Sequence, residues 1–273
     1  MAEFLSVRGP DAQAAWFDGP AGMGHALLRT TREAAGEHQP LSFDGRVRIV
    51  ADVRLDAREE LCAEINARLD LQPPLALDRP DVEILLRAYE AWGESCVEHL
   101  LGDFSFVVWN AQSGRIFCAR DHFGHKPLFY ARTARSLLIG NTLEALRIDP
   151  DVSDQLDDSS IADYLVTGQI LELASTAFHD IARLPAAHVL SGTPENFVVR
   201  RYWTLPIEDP LRRRESEITE EFRALLYQAT RDRLRTDRVT FSLSGGLDSN
   251  SVAGVSCEIV GKQAAREAFL GIT

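Results

Sequence analysis

Ser244-Gly245-Gly246-Leu247-Asp248-Ser249 is the segment whose residue types speak most directly of chemistry. Adjacent glycines let a backbone come close to a ligand and take conformations denied to residues with a Cβ. A helix beginning just after such a turn points its first N–H groups back into it, and the helix dipole adds to their attraction for an anion. Ser244 and Ser249 contribute hydroxyl donors. Asp248 would repel a bare phosphate, so its presence makes sense if it also holds Mg²⁺ carried by that phosphate. The plain alternative is a strand-to-helix turn with a capping Asp or Ser. A Walker A loop is excluded, because the GxxxxGK(S/T) spacing and its lysine are missing.

Other constellations invite a function and read better as structure. Cys118, Asp121, His122 and His125 have a zinc-like spacing, yet only three good ligands are present and no second half closes a tetrahedron. Arg212, Arg213 and Arg214 form a basic cluster, but beside Glu215 and Glu217 they suit a solvated linker. His25, His179 and His188 lie singly near expected strands, as satisfied core or surface histidines do. Lys126 is expected to be exposed or ion-paired.

The elements that must position these residues follow from periodicity. Residues 47–53 (VRIVADV) form a β-rich run, and Asp56 is placed to cap a helix in which Leu61, Ile65 and Leu69 share a face. Asp81 opens a second helix with Ile84, Leu85, Ala88 and Trp92 on one stripe. Alternation then sends Phe104, Phe106 and Val108 one way and Val107 and Trp109 the other, with a turn at 110–114 and a return strand at 115–119. Strands apolar on both faces must be covered on both sides. Further strands are expected at 127–131, 136–140, 187–190 and 197–203, with a short helix at 159–165. After a charged, proline-broken stretch, Thr219 can cap a helix running through Leu234. A buried strand at 239–243, the glycine turn and a helix from Asn250 to Ile259 then make the opening of a parallel α/β sheet.

The chain has 273 residues, 45% hydrophobic and 26% charged, a globular balance that excludes a disordered or low-complexity segment. No apolar run approaches the roughly 18 residues of a membrane span, and the first residues have no signal-peptide core. Cys62, Cys96, Cys118 and Cys257 lie far apart, as reduced thiols of a cytoplasmic protein would. A formal charge of -12 argues against a duplex or phosphate-backbone partner, which would want a basic face.

SGGLDS after a hydrophobic strand resembles the pyrophosphate loop of the N-type ATP pyrophosphatases. Upstream, GDFSFVVWNAQSGRIFCARDHFGHKPLFY, RGPD (8–11), GHALLRTT (24–31), GEHQPL, ADVRLDAREEL, DVEILLRAYEAWGE and RYW (201–203) resemble the glutaminase-domain signature of the asparagine synthetases. The wording is nearest the branch holding β-lactam synthetases and lasso-peptide macrolactam synthetases. The resemblance implies an α+β fold: an N-terminal-nucleophile-hydrolase-like αββα sandwich, followed by the first βα unit of an α/β ATP-pyrophosphatase domain. It divides the chain into a glutaminase-like domain at 1–205 lacking its N-terminal strand, a linker at 206–218, and the incomplete start of a synthetase domain at 219–273. It further implies ATP and Mg²⁺, with Leu243, Ser244, Gly245, Gly246, Asp248 and Ser249 at the nucleotide and Asp248 at the metal. The implied partners are a small-molecule or peptide carboxylate, ammonia or an amine, and either a second copy or a missing synthetase half; no nucleic acid or membrane is implied.

Departures from the family pattern matter as much. Residues 2 and 3 are Ala2 and Glu3, so the glutaminase cysteine is absent there, and Cys62 and Cys118 fall in a helix and a strand. Leu27 stands where the resemblance puts the arginine for the substrate carboxylate, and Ala51-Asp52 where it puts the Asn-Gly pair of the oxyanion hole. Asp81 alone remains of the glutamine pocket, and it also suits a helix cap. The expected activity is therefore ATP-dependent amide formation with a silent glutaminase domain; a non-catalytic scaffold and one half of a split synthetase are the alternatives. The last residues, GKQAAREAFLGIT, do not match the family's continuation, which would leave the strand at 239–243 unpaired and the chain truncated at both ends.

Overall fold

The computed structural model describes residues 1–207, 213–236, 238–261, 264–265 and 268–272. Two compact units are present, Met1–Arg29 with Glu33–Thr204, and Leu205–Thr273 with Thr30–Arg32. Arg212 of the basic cluster lies outside the described residues.

The first unit opens with the hairpin β1 (Ala12–Asp18) and β2 (Ala21–Leu27), which among the described residues pair only with each other. Then come β3 (Val47–Leu55), α1 (Arg58–Leu69), α2 (Asp81–Trp92), β4 (Gly102–Asn110), β5 (Arg115–Arg120), β6 (Phe129–Arg132) and β7 (Leu137–Gly140). The unit ends with α3 (Leu143–Leu146), α4 (Asp158–Thr167), β8 (Ile181–Arg183), β9 (His188–Gly192) and β10 (Phe197–Arg201). A five-stranded antiparallel sheet runs β10-β9-β5-β4-β3, and a three-stranded one β7-β6-β8.

Side-chain alternation builds the layers. Phe104, Phe106, Val108, Phe117 and Val189 face one way, onto Leu61 and Ile65 of α1 and Ile84, Leu85 and Ala88 of α2. Val107, Trp109, Ile116, Cys118 and Leu190 face the other way, onto Leu128, Tyr130, Leu137 and Ile139 of the smaller sheet. The far side of that sheet, Phe129, Ala131 and Ile181, is covered by Leu143, Leu146, Val152 and Phe178. Helix, sheet, sheet, helix: the fold is the αββα sandwich expected from the sequence.

Helix starts differ from expectation. Asp56 is not the cap of α1; that position is Ala57, at φ +48° and with no side-chain cap bond. Asp81 is the first helical residue of α2, after Pro80. By contrast Asp157 does cap α4, accepting from the Ser160 N–H at 2.7 Å. At the junction of β3 and β4, Gly102 sits at φ +127°, where an added Cβ would lie 2.2 Å from the Arg54 carbonyl oxygen. Only glycine fits there.

The second unit contains α5 (Glu215–Arg233), β11 (Val239–Ser242), α6 (Leu247–Val260) and β12 (Phe269–Ile272). Helix α5 begins before Thr219, whose hydroxyl donates to the Glu215 carbonyl at 2.9 Å inside the helix; Glu217 reaches back to the Arg214 N–H. Helix α6 likewise begins at Leu247, ahead of Asn250. Two further expectations are corrected. Strand β11 is half-buried at most, alternating with exposed residues; among the described residues β12 alone pairs with it. Nor is it unpaired: β12 lies parallel to it, Val239 opposite Phe269 and Ser242 opposite Ile272. Among the described residues no helix is long and apolar enough to cross a membrane.

Candidate functional site

Strand β11 delivers the chain into the turn, and α6 takes it away. Gly245 has φ +77°, and a Cβ there would meet nothing within 4 Å. The left-handed conformation needs glycine, and the space in front of it is open. The two serines are brought together: the Ser244 N–H donates to Ser249 Oγ at 3.3 Å, the two hydroxyls are 3.3 Å apart, and the Gly246 N–H donates to Ser244 Oγ at 3.3 Å. Gly246 caps α6 with no side-chain bond. The first-turn N–H groups of α6 therefore stay available to an anion, with the positive end of the helix behind them.

Leu243 turns its side chain onto β12, where a Cβ on Gly271 would lie 2.9 Å from it. Its backbone is what it can offer the turn. Asp248 is exposed in the first turn of α6. One carboxylate suits a cation that arrives already bound to phosphate. Among the described residues no group of three or more His, Cys, Asp or Glu is arranged to hold a metal ion by itself.

In the first unit, the positions given to the glutamine pocket are engaged with the protein's own groups. Asp81 is 6% exposed; its Oδ2 accepts from the Leu55 N–H at 3.2 Å and its Oδ1 lies 3.1 Å from Arg58 Nε. Arg58 also pairs with Glu33 at 2.9 Å and donates to the Arg79 carbonyl. The Ala51 N–H donates to Gln39 Oε1 at 2.6 Å, and the Ala51 carbonyl accepts from Gln39 Nε2 at 3.0 Å. Asp52 pairs with Lys126 Nζ at 2.6 Å. Leu27 is buried. Burial pushes the His25 imidazole below its ordinary pKa, against a hydrogen bond to the Ala51 backbone and the Asp52 charge. Burial pushes the Glu37 carboxyl up; the Gln39 hydrogen bond opposes that shift and the Asp81 charge reinforces it.

The segment 121–127 has no zinc geometry. The Asp121 carboxylate accepts from the N–H groups of Phe123, His125 and Lys126 at 3.2, 2.9 and 2.9 Å. Arg120 donates to the carbonyls of Lys126, Leu184 and Gly124. Cys118 is buried between the sheets, and His122 lies edge-on to Tyr202 and Trp203. The carboxylate and guanidinium together fix a turn that aims Lys126 at Asp52. Of the two expectations for Lys126, exposed or ion-paired, the structure shows the ion pair; the clamps made by Gln39 and Arg58 were not legible, since nothing in GEHQPL or AREEL marks a pairing across the fold.

Residues 1–203 match the family model for the glutamine amidotransferase domain, and residues 221–264 that for asparagine synthase. The chain belongs to the glutamine amidotransferase domain family, in its asparagine synthetase branch. A similar family member is the glutamine-hydrolyzing asparagine synthetase 3 of Bacillus subtilis, 30% identical over 94% of this chain and 41% of its own length. Amidase chry2 of Gibberella zeae is 30% identical over 94% of this chain and 38% of its own. The chain thus spans about two fifths of these relatives. Among solved structures, the Bacillus subtilis glutamine phosphoribosylpyrophosphate amidotransferase complexed with ADP and GMP aligns with a TM-score of 0.43 at 14% identity, over 87% of this chain and 50% of that one.

Proposed function

We propose that this protein takes part in ATP-dependent amide-bond formation of the asparagine synthetase type, with a glutaminase-like domain that does not hydrolyse glutamine. In this reading residues 1–205 are the silent domain, 206–218 the linker and 219–273 the part that grips the nucleotide. A carboxylate displaces pyrophosphate from ATP to give an acyl adenylate, and ammonia or a substrate amine then displaces AMP. The driving logic is the leaving group: a carboxylate resists attack by an amine, a mixed anhydride does not.

The observation that supports the reading is the open turn between β11 and α6, where the Ser244 and Ser249 hydroxyls lie 3.3 Å apart, space is free in front of Gly245, and no side chain caps the first turn of α6. Ser244, Gly245, Gly246 and Ser249 would hold the β,γ-phosphates, Leu243 would contribute its backbone, and Asp248 would meet the phosphate-bound Mg²⁺. The ion, when bound, supplies charge neutralisation for the departing pyrophosphate. A cytoplasmic location fits the four free thiols among the described residues.

Silence of the first domain is supported by its engaged pocket. The Asp81 carboxylate is already matched by Arg58, and the backbone of Ala51 is occupied by Gln39. A donor spent inside the fold cannot stabilise an oxyanion. The same observation favours a second reading, a non-catalytic binding scaffold.

The test is product analysis. Incubation with Mg-ATP, ammonium and a panel of carboxylates should release AMP and pyrophosphate, and Asp248→Asn should lower that rate by about tenfold or more. Release of ADP and phosphate rejects adenylation. Absence of Mg-ATP binding by calorimetry favours the scaffold. Glutamate formed from glutamine rejects the silent domain.

A further inference from the structure

Between the end of α2 and the outer strands of the larger sheet, the first unit holds a hollow of about 310 Å³. That size suits a small molecule. Strand alternation brings its charges together. Arg115 stands two residues before Phe117 on β5, so their side chains share a face; Ser191 is opposite Phe117, and Val198 opposite Ser191. Arg200 is opposite Val189 and shares the same face. Phe117 and Val189 pack against α1 and α2 on that face, and Glu94 reaches the hollow from the turn that follows α2.

Two cations meet one anion there. Ser191 Oγ donates to Glu94 Oε1 at 2.5 Å, and Arg115 Nη2 donates to the same oxygen at 3.3 Å and to Ser191 Oγ at 3.1 Å. Glu94 Oε1 is thereby used. Its Oε2 lies 3.8 Å from Arg200 Nη2, an ion pair too long to be a hydrogen bond. Among the described residues the Arg200 guanidinium and the Asn196 side-chain amide donate no hydrogen bond. The residues lining the hollow therefore carry one positive charge in surplus, in a chain whose formal charge is -12. An open guanidinium fork beside a second guanidinium is a seat for a carboxylate. A phosphate dianion would also meet the repulsion of Glu94, whereas a monoanion matches the surplus. Glu94 Oε2 then has a use: it can accept from a hydroxyl or ammonium next to the bound carboxylate. Val198 lends an apolar side for a short carbon chain.

We propose that this hollow binds a small α-hydroxy or α-amino carboxylate, with Arg115 and Arg200 on the carboxylate and Glu94 on the neighbouring donor. The inference is independent of the synthetase reading. It uses none of the residues of the turn at 244–249, and none of the positions at Asp81, Ala51 and Leu27.

Titration of the full chain with L-lactate, L-alanine and propionate at constant ionic strength tests it, read by NMR at the backbone amides of Gly192, Asn196, Val198 and Arg200. Lactate or alanine should give saturable shifts with a midpoint on the order of millimolar or below, and the two arms tell which donor the site accepts. The better of them should bind about tenfold or more tighter than propionate, which lacks the donor. Arg200→Gln should weaken binding by about tenfold or more, and Arg200→Lys, which keeps the charge but not the fork, by about threefold or more. Both variants should leave the far-ultraviolet circular dichroism unchanged. Glu94→Met keeps the reach of the side chain without its carboxylate. If Glu94 accepts from the ligand, this variant should bring the better ligand and propionate to within about threefold of each other. If it tightens both alike, Glu94 is only a repulsive neighbour and the proposal falls. Shifts of equal size with chloride, no saturation with either lactate or alanine, or binding indifferent to Arg200 would each overturn it as well.

Discussion

Asp121 sits 1% exposed at the head of its turn and satisfies three backbone N–H groups with one carboxylate. Asp121→Ala leaves those donors facing a cavity, and each unsatisfied buried N–H costs on the order of 1 kcal/mol or more. The expected loss is about 3 kcal/mol, measured by urea unfolding of the first unit. Titration gives a second residue-scale expectation. His25 and His122 are both pushed below their ordinary pKa by burial, so the unfolded chain binds protons on them first as pH falls below about 6.5. Stability from keeping them neutral is present above that pH and lost as pH drops. Glu37 acts in the opposite direction, since its raised pKa makes the folded state take up a proton earlier. Unfolding free energy should therefore fall between pH 7.5 and 5.5, and His25→Leu with His122→Phe should flatten the fall; an unchanged slope would show that these imidazoles do not set it.

Elements that alternate were legible, and elements that do not were missed, for one reason. Strands β4 and β5 bury both faces, so their alternation of large apolar residues carries the layer order; β1 is mostly exposed and β2 fully buries only Leu27, so neither leaves such a trace. Strand β8 has only three residues, and β12 is recognisable only through its pairing with β11. Helix starts were misplaced wherever a polar residue stood near but was not the cap, as at Asp56 and Thr219. At the turn, the serines and glycines were legible as a group because neighbours in sequence are neighbours in space. The clamps at Asp81 and Ala51 join residues far apart in sequence, and no local pattern encodes them. The same contrast supplies a prediction for β3 and β4. Gly102→Ala would force a Cβ to within 2.2 Å of the Arg54 carbonyl oxygen at a φ of +127°. Pairing of Leu55 with Gly102 would have to shift, at a cost of about 2–4 kcal/mol, visible as a lowered melting temperature and lost exchange protection at the start of β4.

The two units are built to very different depths. The first has three apolar clusters with Phe104, Phe106 and Phe117 fully enclosed. In the second, the buried positions among the described residues are Thr230, Ser256 and Ala265. Apolar burial is the main source of folding free energy, so local opening should be far easier in the second unit. Amide exchange on the full chain should show β4 and β5 protected by about a thousandfold or more over β11 and the start of α6. Binding energy is the means by which such a unit gains order, because a ligand stabilises the state it binds. Mg-ATP should then slow exchange at residues 243–249 while leaving β4 and β5 unchanged, and Asp248→Asn should abolish the slowing. Exchange at the turn that is indifferent to nucleotide would remove the anion cradle from the account, whatever the first unit retains of its family's shape.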